Sequence, residues 1–298
     1  MKFNPPGEKE RLKAIGSIEK LPEILKRAFK PSAQYEPMPV PMPGDWLYEH
    51  PENGQTFTDF INSNPNRPDK KRNKIYLRPL GDFSKERSPS IEKLKDYTSA
   101  YFCLEVEVLP TLPIKEDELT TRVNLYTKME QILTTDILNL LKKNLPGDAF
   151  CLMAITMEDL YPAPSWNFVF GQASLKGRVG VYSFARYGPA FYGEKRGGNY
   201  KKLLLWRSCK VLVHEIGHQF GLEHCIFYSC VMNGSNHLQE SDARPIHLCP
   251  VDLRKLYYSI GFDIVERYKK LQQFYEVCGF QKEVKWVRER LREVLRDG

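Results

Sequence analysis

No apolar run in this sequence approaches the eighteen or so residues that a membrane-spanning helix needs, and mean hydropathy is −0.47. The opening stretch Met1–Glu10 carries no apolar segment of the kind that directs secretion. Charged residues at 27% and hydrophobic residues at 42% lie close to globular averages, which excludes wholesale disorder, collagen and coiled coil. Charge of one sign is also lacking. Forty-four Lys and Arg face 37 Asp and Glu, and the resulting +7 is spread along the chain. Solubility accounts for that balance, so neither a nucleic acid nor a membrane is expected as a partner. The expectation is an intracellular protein, cytoplasmic and/or nuclear and not secreted. Its 298 residues suffice for one large domain with appendages or for two smaller ones.

Histidine is scarce, with six residues, whereas cysteine numbers seven. In a reducing compartment clustered cysteines point to a metal before disulfides. Proline is concentrated near the start, and Glu36–Pro43 alternates proline with other residues, an extended strap or linker. Residues 1–70 read as an accessory Pro-rich extension, with one helix expected over 17–29. From residue 71 to 270 strands and helices alternate, as in an α/β domain with a mixed twisted sheet and packed helices. Strands are expected at 74–80, 103–109 and 150–156. Helices are expected from Ser88-Pro89 through Tyr101, and over 123–143 with Met129 and Ile132 on the buried side. Two further strand-like runs, 167–175 and 179–186, read as a hairpin adding an antiparallel edge strand. Residues 271–298 form a basic helix whose apolar stripe, Val284, Val287, Leu291 and Val294, packs on the domain.

The chemistry concentrates in Val213–Cys225, which contains His214-Glu215-x-x-His218-x-x-Gly221-x-x-His224. Leu205, Cys209, Leu212, Ile216 and Phe220 recur at helical spacing, so His214 and His218 share a helix face one turn apart. Two imidazoles so placed can meet one Zn²⁺ at about 2.0–2.1 Å. Glu215 lies beside them as a base for zinc-bound water. A helix ending at Gly221 turns the chain back and makes His224 the third ligand, leaving the open fourth position of a catalytic site. In a chain this poor in histidine, accidental register has odds on the order of one in 10⁵. Met232, eight residues after His224, has the spacing of a Met-turn, the apolar floor beneath a three-histidine zinc site.

These residues resemble the archaemetzincin family of metzincin zinc peptidases, most closely the second of its two animal forms. Cys225, Cys230 and Met232 match the family signature after the zinc motif, and Cys249 matches the first cysteine of a later Cys-x-x-Cys. The resemblance extends through Trp166–Ser174, Phe184–Gly188, Gly234–Leu238 and Gly261–Tyr268, and to Asp45-Trp46 and His50-Pro51 in the extension. It implies a metzincin-like fold with a catalytic zinc on His214, His218 and His224 and Glu215 as general base. It also implies a second, structural zinc held by four cysteines. Here the fourth position is Asp252. A Cys225–Cys230–Cys249–Asp252 site is chemically possible, and Asp252 equally suits the N-cap of the following helix.

Cys103, Cys151, Cys209 and Cys278 read as core or helix-face residues, and His237 and His247 as surface or supporting residues. By analogy with related metzincins, 168–175 is the edge strand that pairs with extended substrate. The expected function is zinc-dependent hydrolysis of peptides or unfolded polypeptide by a monomer, through Glu-assisted attack of zinc-bound water. The alternative is a zinc-stabilised binding protein with vestigial peptidase activity.

Overall fold

The computed structural model describes residues 3–114 and 119–296. Helices α1 (Glu8–Ile15), α2 (Glu23–Phe29), α3 (Trp46–Glu49) and α4 (Phe57–Asn62) precede strand β1 (Lys74–Leu80). Next come α5 (Ile91–Phe102), β2 (Glu105–Val108), β3 (Thr121–Val123), β4 (Glu130–Leu133), α6 (Thr134–Lys143), β5 (Ala149–Thr156) and β6 (Asp159–Tyr161). Strands β7 (Gly171–Ser174) and β8 (Val179–Ser183) lead to the long helix α7 (Tyr200–Gln219). The chain closes with α8 (Leu238–Ala243), α9 (Pro250–Ile260), α10 (Ile264–Cys278) and α11 (Gln281–Leu295). Two compact units result, Arg67–Gln219 and the discontinuous pair Met1–Asn66 with Phe220–Gly298.

The first unit is α/β. Its main sheet has the order β2-β1-β5-β8-β7, parallel except for β7, which runs antiparallel to β8 at the edge. All of β5 is buried, as a central parallel strand covered on both faces requires. On one face Leu152, Ala154, Val179 and Val181 meet Ile137, Leu138 and Leu141 of α6. The alternate residues Cys151, Met153 and Ile155 point the other way, towards the face that α7 covers. A second small sheet, β3-β4-β6, stands beside it.

The discontinuous unit is mostly helical. The proline-rich strap runs extended, as expected, and pairs with residues 227–229: Met38 N donates to Phe227 O (3.3 Å) and Ser229 N to Glu36 O (2.8 Å). α11 packs on α2 and α10 through the stripe Val284, Val287, Leu291 and Val294. Arg290 is buried there, donating to the carbonyls of Arg27 and Ala28.

Three local expectations are corrected. The helix expected over 17–29 starts only at Glu23, because Pro22 disfavours helical backbone at Leu21; the separate α1 ends at Gly16, with φ +72°. Ser90 rather than Ser88 caps α5, its hydroxyl accepting from Lys93 N (3.3 Å). The expected helix over 123–143 forms only from Thr134. Before it, Asn124 Oδ1 accepts from the amides of Tyr126 and Thr127, and Lys128 takes φ +58°. That turn joins β3 to β4, so Ile132 is a buried strand residue and Met129 is exposed.

Candidate metal centres

In the Arg67–Gln219 unit, α7 buries Leu205, Cys209, Leu212, Val213 and Ile216 and leaves His214, Glu215 and His218 half-buried. The two histidine rings stand nearly perpendicular, at 88° and 4.6 Å between centroids, and their Nε2 atoms are 3.1 Å apart. Two ligands of a tetrahedral zinc at 2.0–2.1 Å stand about 3.3 Å apart, so the pair already has the spacing of a shared ion.

Glu215 is only partly buried as a residue, yet its carboxyl is set deep among protein atoms, and that desolvation pushes its pKa up to about 7. Gly171, at the start of edge strand β7, makes room for it. A β-carbon at 171 would lie 3.2 Å from Glu215 Oε1 and only 2.7 Å from Tyr182 Cβ.

In the other unit the chain resumes at Phe220. Gly221 takes φ +84°, a conformation strained for any side chain, and its carbonyl accepts from Gln55 Nε2 (3.1 Å). The sequence therefore places the helix stop correctly. His224 follows, its Nδ1 2.9 Å from Glu52 Oε1, and the same oxygen accepts from Trp46 Nε1 at 2.9 Å. Met232 is fully buried, and its carbonyl accepts from Cys225 N at 2.9 Å. Asn233 ties this turn to the preceding loop: Nδ2 donates to the carbonyls of Cys225 (2.7 Å) and Tyr228 (2.9 Å), and Oδ1 accepts from Cys230 N (2.7 Å).

Cys225, Cys230, Cys249 and Asp252 converge within this same unit, all buried, each offering a ligand atom within 4.8 Å of the others. Cys225 Sγ and Cys249 Sγ are 3.6 Å apart, and Asp252 Oδ2 is 3.3 Å from both Cys230 Sγ and Cys249 Sγ. A tetrahedral zinc with Zn–S near 2.3 Å and Zn–O near 2.1 Å sets those separations at about 3.8 and 3.6 Å. The four donors therefore fit the ion, slightly contracted. Cys249, not Asp252, is the N-cap of α9, and Asp252 lies inside the helix, which removes the capping explanation for its burial.

Burial alone would raise the Cys225 thiol. Hydrogen bonds from Cys230 and Cys249, with the Lys255 charge, overcome that and hold it well below the ordinary thiol range. Burial pushes the Cys230 and Cys249 thiols up, and Asp252 up to about 6 with help from the charge on Cys225. Sequence reasoning missed Lys255, whose ammonium donates to Asp252 Oδ1 (2.9 Å) from one helical turn on. It also missed Glu52, Trp46 and Asn233. His237 caps α8, its Nδ1 accepting from Glu240 N (3.1 Å), and His247 stacks on Trp286 with ring centroids 3.7 Å apart. Cys151 and Cys209 are fully buried, and Cys103 and Cys278 partly so.

The profile of peptidase family M54 matches residues 107–257. Archaemetzincin-2 of Homo sapiens and that of Mus musculus are each 45% identical to this chain, over 83% of it and 77% of theirs. The chain belongs to the archaemetzincin peptidases. That membership makes it a zinc metalloprotease. The crystal structure of archaemetzincin from Methanopyrus kandleri is 30% identical, with a TM-score of 0.50, and 97% of it is matched by 64% of this chain. Among the described residues of this archaemetzincin no helix is long and apolar enough to cross a membrane.

Proposed function

We propose that His214, His218 and His224 hold the catalytic zinc of this archaemetzincin and that Glu215 is the general base of peptide-bond hydrolysis. The observation that carries the reading is the facing pair of imidazole nitrogens, 3.1 Å apart, with a desolvated carboxylate between them in sequence. The Gly221 turn and the HExxHxxGxxH spacing support His224 as third ligand. Zinc held there supplies a Lewis acid that acidifies water and polarises the scissile carbonyl.

The protein's own groups do the rest. The Glu215 carboxylate takes a proton from the attacking water, and a pKa near neutrality suits it to return that proton to the leaving amine. β7 pairs only with β8 among the described strands, so its outer edge offers backbone groups to an extended peptide or unfolded polypeptide. Gly171 in that strand brings the bound backbone close to Glu215. Met232 serves as the Met-turn floor. A second, structural zinc lies on Cys225, Cys230, Cys249 and Asp252, and the protein works as an intracellular monomer.

The test is peptide hydrolysis by Glu215→Ala, with zinc content measured on the same sample. Loss of chelator-sensitive turnover with zinc retained is expected, and unchanged turnover removes Glu215 from the mechanism. If the wild type cleaves nothing in a broad peptide library, the zinc-stabilised binding protein becomes the better description.

A further inference from the structure

Glu52 lies in the N-terminal stretch, outside the residues 107–257 that match the family profile. Its Oε1 receives two hydrogen bonds. One comes from Trp46 Nε1 and the other from His224 Nδ1, both at 2.9 Å. A carboxylate only accepts, so His224 donates from Nδ1, which leaves Nε2 as the ring nitrogen available to a metal. Trp46 fixes the same ring from its side, edge-on at 5.1 Å between centroids and 82°.

Trp46 is itself held firmly. Its backbone amide donates to Glu240 (3.0 and 3.1 Å), which also accepts from Asn236 N at 2.8 Å. Its indole lies over Gly234, where a β-carbon would come within 2.6 Å of the ring. Only glycine at 234 lets the indole sit there, two residues past Met232.

The geometry points to Glu52 as the positioning residue of the third zinc ligand, so that the N-terminal stretch is part of the catalytic apparatus. A metal-ligating histidine needs its second nitrogen anchored, and a carboxylate on that nitrogen both fixes the ring and raises its basicity. The inference rests on the proposed three-histidine site. It differs from a simple staple of the N-terminal stretch, which would affect folding without affecting metal affinity.

The experiment is a Co²⁺ titration of the full-length, metal-free protein in competition with a chelator. Thiolate-to-cobalt charge transfer marks the cysteine site, and d–d absorption without it marks the histidine site. Glu52→Ala is expected to weaken cobalt at the histidine site about 10–100-fold while leaving the charge-transfer transition at its wild-type midpoint. Glu52→Gln, which keeps an accepting oxygen, loses less. Wild-type affinity at the histidine site in Glu52→Ala overturns the proposal. If that variant does not fold, Glu52→Gln decides: weaker cobalt binding at an unchanged metal-free unfolding midpoint supports the role, and wild-type binding overturns it. His224→Ala separates the two readings. If it too binds cobalt normally, the three-histidine site fails; if it does not, only Glu52 is at issue.

Discussion

The Lys255 ammonium lies 2.9 Å from Asp252 Oδ1, and both side chains are buried. The other carboxylate oxygen, Oδ2, faces the sulfurs of Cys230 and Cys249. Asp252 is thus held between a cation on one side and the thiol donors on the other. Removing one partner of a buried pair costs about 3–5 kcal/mol, because the remaining charge is left uncompensated. Lys255→Met is expected to lower the unfolding free energy of the metal-free protein, measured in urea, by that amount, and of the zinc-loaded protein by much less, since the metal then neutralises Asp252. An equal loss with and without zinc would mean that Asp252 does not face the ion.

Zinc stoichiometry follows from the same arrangement. Elemental analysis of the wild type is expected to give two zincs per chain, and Asp252→Ala one. Asp252→Cys, which completes a set of four sulfurs, retains two. A single zinc in the wild type would leave the cysteine cluster without a metal role.

The pH dependence of the metal-free protein has a definite sign. Burial raises the Glu215 pKa from 4.5 to about 7, so the folded state holds the proton more tightly than the unfolded state. The stabilisation is complete below about pH 4.5 and lost as pH rises through 7, at most about 3 kcal/mol for a shift of that size. Asp252, raised to about 6, pulls the same way. Glu215→Gln is therefore expected to match the wild type at pH 4 and exceed it at pH 8 in thermal unfolding without metal. A parallel pair of pH curves would show that the Glu215 carboxyl is not desolvated.

Gly171→Ala tests the edge strand. The new methyl would meet Tyr182 Cβ at 2.7 Å and the Val181 carbonyl at 2.9 Å, both on rigid β8. Overpacking of this kind costs about 1–3 kcal/mol, and relief requires β7 to move outwards. Lower kcat/KM with unchanged zinc content is expected. Wild-type kinetics would separate β7 from substrate handling.

Much of this centre is legible in the sequence because its spacing is local. The helix face shared by His214 and His218 and the stop at Gly221 follow from periodicity and from glycine's backbone freedom, and the structure places both there. The hairpin of β7 and β8 is likewise local. What the sequence hides is contact between distant residues. Glu52 reaches His224 across 172 positions, and nothing near Glu52 marks it as a partner. Lys255, only three residues from Asp252, was within reach of i,i+3 reasoning, but a lysine on an amphipathic helix reads as solvent-facing until its burial is known. The helix misread over 123–143 failed because Ile132 and Leu133 sit at helical spacing with residues after Thr134. The turn at Asn124 is set by a side chain bonding its own backbone, which hydrophobic periodicity does not register.

The discontinuity of the Met1–Asn66 and Phe220–Gly298 unit has a consequence in time as well as space. At roughly 5–20 residues per second of synthesis, Glu52 leaves the ribosome roughly 10–35 s before the histidine 172 positions later that it binds. Through that interval Trp46 and Glu52 have each other but not His224 or Glu240, and α2 and α4 lack α9; α11, which packs on α2, follows later still. Glu52 and Trp46 therefore wait for His224 and Glu240 before the hydrogen bonds around them are complete. Closing so long a loop is slow, so the contact between Glu52 and His224 is expected to form late in folding.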